Sequence, residues 1–318
     1  MTLPLGRPMR EIFGETVTEL ADGDPRIVVL DGDLGSSTKA DIFQAAHPER
    51  FLQMGIAEQN MLGAAAGIAT MGLIPFISTF VSFAVIRPLD QIRVLIAQPG
   101  LNVKITAGYA GLFTGMAGKT HQVVDDVSIM RAMPGMVTIS PADDVEAAAV
   151  IRYAAVHEGP VYVRLVRDAT QRLFDDSYRF ELGRALVVRE GRDVTLISTG
   201  AQTPRTFDAA ELLAAEGIDA HLVHVPTIKP LDQEAIVAAA ARTGFVITVE
   251  EHSVIGGLGG AVAETLADRR PTTVKRIGLQ DVYGESAPND ALLEMFGLSG
   301  ARVADQVRDL VGGERAKH

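Results

Sequence analysis

Cysteine is absent from all 318 residues. No disulfide, zinc-thiolate site or cysteine nucleophile can form within this chain, which suits a cytoplasmic protein. A surplus of positive charge is absent as well: 29 Lys and Arg stand against 40 Asp and Glu, a formal charge of −11. That balance argues against a nucleic-acid binder, which needs a basic face. The opening residues Met1–Pro8 lack the apolar run of a secretory leader. From Gln59 to Ile86 there is no charged residue at all. Such a stretch is long enough to span a bilayer. Gly63, Gly67, Gly72 and Pro75 interrupt it, however, and it divides into helix, turn and strand. The expected form is a buried helix followed by a central strand, with no membrane association.

What is present is a globular composition, 47% hydrophobic and 22% charged, over a length that accommodates two domains and a substantial core. Met9, Phe13, Val17 and Leu20 recur at helical spacing behind Pro8, and Gly23 ends that helix. The β-branched run Arg26–Leu30 reads as a buried strand. The polar turn DGDLGSSTKAD follows it, where open α/β sheets bind ligands; the alternative is an ordinary loop. Further strands are expected at Phe51–Met54, Ile74–Phe80, Asn102–Ala107, Met136–Ser140 and Val161–Val166. Helices are expected at Glu58–Met71, Pro88–Gly100, Asp125–Met133 and Asp143–Ala155. Ala169–Arg192 is more polar and irregular, and a second strand–helix alternation begins after it. The pattern predicts two consecutive α/β domains with mainly parallel sheets: residues 1–175, a linker 176–192, and residues 193–318.

Glu58 is the last charged residue before Arg87. A lone carboxylate at the mouth of so apolar a segment is costly to ionise unless something pairs with it, and such a group is a functional-site candidate. The other reading is that Glu58 favours a helix N-terminus, where the macrodipole welcomes negative charge.

The pairing of MGIAEQNMLGAAAGIA with FISTFVSFAVIRPLDQIR resembles the pyrimidine-binding domain of the transketolase family of thiamine-diphosphate enzymes. The resemblance covers nearly the whole chain. It implies that Glu58 hydrogen-bonds N1′ of the cofactor's aminopyrimidine in a protonated form favoured by its apolar setting, and that Phe80 and Phe83 form the aromatic bed of that ring. It also implies that Asp33, in the DGD turn, lies beside the cofactor. The loop GYAGLFTGMAGKTHQ resembles the family's substrate loop, which makes His121 the histidine that contacts the sugar. Arg10, Ser37 and Arg167 match positions that hold a substrate phosphate; arginine's planar fork suits that work by pairing two oxygens at once.

Two positions depart from the family pattern. Ala117 stands where an aspartate commonly reads the sugar's hydroxyl stereochemistry, and Tyr109 stands where a phosphate-binding histidine is frequent. Both bear on the choice of sugar and neither touches the cofactor chemistry. In the second domain, VEEHSVIGGLGGAVAE partly matches a dinucleotide fingerprint, but GLGGAV lacks the final glycine, and such runs are typical of the family's C-terminal domain. The family's diphosphate- and metal-binding domain carries GDG and a later asparagine, and this chain has only DGD at Asp31–Asp33. The resemblance therefore implies a C-terminal (β) subunit of a split transketolase. The magnesium or calcium ion and the diphosphate would be held by an N-terminal (α) partner, in an α2β2 assembly acting on sugar phosphates. In the lone chain, Phe80 and Phe83 would be uncovered. The alternatives are the β subunit of a 2-oxoacid dehydrogenase first component and a non-catalytic scaffold.

Overall fold

The structure is a computed structural model that describes residues 3–315, so residues 1–2 and 316–318 of the two expected domains lie outside the described residues. The first domain is built on Ile27–Asp31, which is buried along its whole length. A strand covered on both faces by helices has to be apolar throughout, which is what IVVL supplies. Around it the seven-stranded sheet runs Thr227–Lys229, Val137–Ile139, Val161–Arg164, Lys104–Ala107, Ile74–Ser78, Ile27–Asp31, Phe51–Gln53. All pairings are parallel except that of Thr227–Lys229.

The order of the strands determines where a ligand can sit. From Ile27–Asp31 the chain crosses to Phe51–Gln53 on one side, then returns past it to Ile74–Ser78 on the other. Loops therefore leave the carboxyl ends of these two neighbours in opposite directions and open a crevice between them. The second domain repeats the plan with five strands in the order Thr273–Leu279, Phe245–Ser253, Val194–Ser198, Ala220–His224, Leu186–Arg189; only the last pairing is antiparallel. The expectation of two α/β domains with mainly parallel sheets is met. One apolar cluster is continuous from Phe13 and Phe76 through Leu112 and Phe113 to Leu196 and Leu292, so the domains share a core.

Two expectations are corrected. The irregular stretch Ala169–Arg192 contains two short strands: Ala169–Gln171 pairs with Leu5–Pro8, and Leu186–Arg189 closes the edge of the second sheet. Both are half-exposed edge pieces, so neither carries the apolar signature of a central strand. Thr227–Lys229, from the second half of the chain, adds an edge to the first sheet. The helix expected over Pro88–Gly100 is broken: Val81–Ile86 precedes it, Leu89–Gln91 follows Pro88, and Ile92–Ala97 is a π-helical turn. There the Gln98 N–H reaches Arg93 O and the Leu101 N–H reaches Ile96 O, five residues back. The uncharged stretch forms helix Glu58–Thr70, strand Ile74–Ser78 and helix Val81–Ile86. No helix among the described residues is long and apolar enough to cross a membrane.

Candidate active site

The crevice is lined from short-range causes. The strand ends at Ser78, and Phe80 becomes the residue before helix Val81–Ile86, its carbonyl accepting the N–H groups of Phe83 and Ala84 at 2.9 and 2.8 Å. Residues three and four apart share a helix face. Phe80 and Phe83 accordingly stack with centroids 5.8 Å apart, and the Arg87 guanidinium lies 4.0 Å over the Phe83 ring. A single bridge between Phe80 and Gly108 extends the sheet by one step and sets Tyr109 alongside. The Phe80 and Tyr109 rings stack at 3.7 Å. Tyr109 holds φ at 66°, a left-handed conformation that costs a bulky residue energy and concentrates at functional sites.

Glu58 opens helix Glu58–Thr70 and is only 4% exposed. Its expected isolation is corrected: Arg87 Nη1 donates to Glu58 Oε1 at 2.6 Å. The two charged residues that bound the uncharged stretch are brought together by its folding, so the carboxylate is paired as burial requires. Glu58 thus stands at a helix N-terminus, one of its two readings, and is also paired.

The sugar-side candidates gather on the same aromatic row. The His121 ring meets Phe83 edge-on at 5.3 Å and Phe80 at 6.2 Å, and its Nδ1 lies 2.9 Å from Thr120 Oγ1. The Tyr109 hydroxyl accepts from Arg10 Nη1 and donates to the Ser37 carbonyl, each at 3.3 Å. The Arg167 guanidinium stands 5.6 Å from the Tyr109 ring. The Nε atoms of both Arg10 and Arg167 are buried without a hydrogen-bond partner. Ala117 is exposed at the end of the turn Gly115–Ala117. Glu58, Phe80, Phe83, His121, Tyr109, Arg10, Ser37 and Arg167 are therefore joined through one chain of contacts, with Arg87 linking Glu58 to Phe83.

Asp33 is not brought into that chain. Its side chain is exposed, its φ is 66°, and its N–H donates to Gln53 Oε1 at 3.1 Å. The carboxylate that organises the turn is Asp31, which the sequence reading passed over. Asp31 Oδ2 accepts from the N–H groups of Leu34 and Gly35 and from Gln53 Nε2, at 2.9, 3.0 and 3.1 Å, while Oδ1 is buried without a partner. Burial pushes the Asp31 carboxyl above the usual range, against these donors. Arg87 was also missed. Its spacing of four from Phe83 was a readable signal, and so was the position of Asp31 at the carboxyl end of a central strand.

Among the described residues, no group of three or more His, Asp or Glu is placed to hold a metal ion. Residues 6–172 match the family model of the transketolase pyrimidine binding domain, and residues 183–303 match that of the transketolase C-terminal domain. The chain belongs to the transketolase family. A solved structure described as "Split gene transketolase, inactive beta4 tetramer" is similar to it at 46% identity and a TM-score of 0.88, over 96% of this chain and 99% of that one. A 6-deoxy-6-sulfo-D-fructose transketolase subunit from Clostridium sp. (strain MSTE9) is 41% identical, over 93% of this chain and 92% of that protein. An apulose-4-phosphate transketolase subunit from Phocaeicola vulgatus is 37% identical, over 87% of this chain and 90% of that protein. Each of these relatives is a transketolase chain of about this length.

Proposed function

We propose that this chain is the C-terminal subunit of a two-chain, thiamine-diphosphate-dependent transketolase that moves a two-carbon ketol unit from a ketose to an aldose. One observation carries the reading. The stacked row Phe83–Phe80–Tyr109 joins the Glu58 carboxylate at one end to Arg10 and Arg167 at the other. On this reading the Glu58 carboxylate would meet the ring and the two arginines the anionic group, at opposite ends of one row of contacts. The fit to the aminopyrimidine half of the cofactor rests on the donor set: a buried carboxylate beside the half-buried Phe83 face. The fit to an anionic substrate rests on two guanidinium groups with spare donors: Arg10 Nε is buried without a hydrogen-bond partner, which costs about 1–3 kcal/mol until something accepts from it, and Arg167 Nε has only the Asp168 carboxylate at 3.7 Å, beyond hydrogen-bond range.

Thiamine diphosphate, when bound, supplies an electron sink for the acyl carbanion. Once the cofactor ring displaces Arg87, Glu58 would share a proton with N1′ of the pyrimidine. Phe83 supports the ring. His121 hydrogen-bonds sugar oxygens, and Arg10, Ser37 and Arg167 hold the substrate's anionic group, with the Tyr109 hydroxyl between them. The metal ion, magnesium or calcium, and the diphosphate are assigned to an N-terminal partner chain in an α2β2 assembly. The relative described as an inactive β4 tetramer supports that division of labour. Cytoplasmic location suits the cysteine-free sequence. A 2-oxoacid dehydrogenase β subunit is not favoured, because the similar chains of this length are described as transketolase chains. The test is reconstitution with a chain that carries the diphosphate and metal domain. Ketol transfer is expected, and decarboxylation of a 2-oxoacid in its place would reject the reading.

Arg87 competes with the cofactor in this arrangement, because its guanidinium covers the Phe83 face and pairs with Glu58. Arg87 is 45% exposed, so its contacts are worth only about 1 kcal/mol. Arg87→Met in the reconstituted enzyme should tighten thiamine diphosphate binding by roughly two- to tenfold, read by isothermal titration. Weaker binding would show instead that Arg87 holds the cofactor.

Substrate choice should differ from that of enzymes with Asp and His at positions 117 and 109. A site without the hydroxyl-reading carboxylate leaves no group unpaired when the stereochemistry is wrong, so discrimination falls. The informative panel contains xylulose 5-phosphate, other ketose phosphates, and a 6-sulfo ketose of the kind that the Clostridium relative's name records. Relaxed or shifted kcat/KM values are expected. An exclusive preference for xylulose 5-phosphate would count against the idea.

A further inference from the structure

The motif VEEHSVIGGLGGAVAE is not absorbed by the chemistry above, and its two glutamates act in different places. Glu250 Oε2 and Oε1 accept the N–H groups of Leu258 and Gly259 at 2.7 and 2.8 Å. The start of helix Leu258–Arg269, where a dinucleotide phosphate would bind, is thus occupied by the protein's own carboxylate. Glu251 points the other way, out of the second domain. Its Oε1 accepts the N–H of Leu112 at 2.7 Å, three residues past Tyr109, and its Oε2 accepts from Arg205 Nη1 at 2.7 Å. Arg205 in turn lies 4.5 Å over the Phe113 ring. Gly111 is required at this crossing, because a Cβ there would lie 2.2 Å from Glu251 Oε1.

Two further attachments come from residues 286 and 289. Ser286 Oγ donates to Met116 O at 2.7 Å, beside Ala117. Asn289 Nδ2 donates to Asp168 Oδ2 at 2.9 Å, beside Arg167. The glycine-rich loop between Tyr109 and His121 has little regular structure of its own, one short turn at Gly115–Ala117. Left to itself, a loop of that length and composition would be mobile.

We propose that the C-terminal domain is the template for the sugar-binding loop, with Glu251, Ser286 and Asn289 as positioning residues for Tyr109, His121 and Arg167. The domain thereby sets sugar recognition and leaves cofactor binding alone. The inference rests on the transketolase reading above, and its test separates the two. Glu251→Ala takes the carboxylate from Arg205, which keeps Gln202 Oε1 at 2.9 Å, in a site where Glu251 is 2% exposed, so it endangers folding. The principal variant is therefore the surface pair Ser286→Ala with Asn289→Ala, and Glu251→Gln is the conservative companion that still accepts from Leu112.

Hydrogen exchange is read first, on the purified chain, and needs no activity. Amides 112–122 should exchange faster in the double variant, with the sheet amides unchanged; an unchanged loop overturns the proposal. Steady-state ketol transfer by the reconstituted complex is read second. Two lost hydrogen bonds should raise the donor KM roughly tenfold, with kcat and thiamine diphosphate affinity within about twofold of the parent. An unaltered donor KM, or an equal loss of cofactor affinity, also overturns it. A parent complex that transfers no ketol unit, though the loop responds in exchange, removes the transketolase reading and this inference with it.

Discussion

Glu58→Gln should fold, assemble and lose turnover. The substituted side chain keeps the length and most of the shape of the original at the start of helix Glu58–Thr70. It gives up the ion pair with a half-exposed arginine and the favourable helix-end charge, together about 1 kcal/mol. Thermal unfolding should therefore fall by only about 1–2 °C for a chain of 318 residues. Catalysis loses far more. Glutamine can hydrogen-bond a ring nitrogen but cannot supply a proton that is shared with it. General acid–base assistance of this kind is worth about 10²–10⁴ in rate, so kcat for ketol transfer at saturating cofactor should drop by that factor. Turnover like that of the parent would remove Glu58 from the mechanism. Loss of soluble complex would mean that its ion pair with Arg87 is structural.

The legible parts of this molecule are those set by local chemistry. Runs such as IVVL at Ile27–Leu30 announced buried parallel strands, because a strand covered on both faces admits few polar residues. The spacing of Phe80 and Phe83 was visible, and so was the lone carboxylate at the head of the charge-free stretch. The illegible parts are long-range. Nothing local tells that Arg87 folds back on Glu58, since that depends on a turn at Met71–Gly72 and a strand between them. Nothing local tells that Thr227–Lys229 crosses to the first sheet, or that Glu251 reaches Leu112 from 139 positions away. Asp31 was legible in principle, as a carboxylate at the end of a central strand, but Asp33 in the same DGD turn drew the assignment instead. Its outward-facing side chain and left-handed backbone come from the turn that Asp31 closes, which residue type alone does not reveal.

The isolated chain should neither hold thiamine diphosphate tightly nor catalyse. What it offers the pyrimidine is partial. Phe80 was expected to be uncovered, yet it is only 7% exposed, because the Tyr109 ring lies against it. Phe83 is half-buried and has Arg87 over its face. A ring must displace that guanidinium to reach Phe83 and Glu58, and with the metal ion assigned to the partner the diphosphate would gain no metal bridge in return, although such a bridge normally carries much of a diphosphate's anchoring. Ile56, just ahead of Glu58, and Met116, just ahead of Ala117, are 74% and 69% exposed, and Ile86 beside Arg87 is 43% exposed. In the proposed assembly the N-terminal partner would cover these apolar side chains. Covering them would also exclude water and strengthen the pairing of Glu58 with whatever replaces Arg87. Titration of the purified chain with thiamine diphosphate and magnesium should accordingly give a Kd in the region of about 1 mM or weaker, a binding free energy of no more than about 4 kcal/mol. Addition of the partner should tighten it to about the micromolar range, with ketol transfer appearing at the same stoichiometry. Micromolar binding by the lone chain, or transfer without a partner, would show that the crevice is complete in one subunit and that the division of the enzyme lies elsewhere.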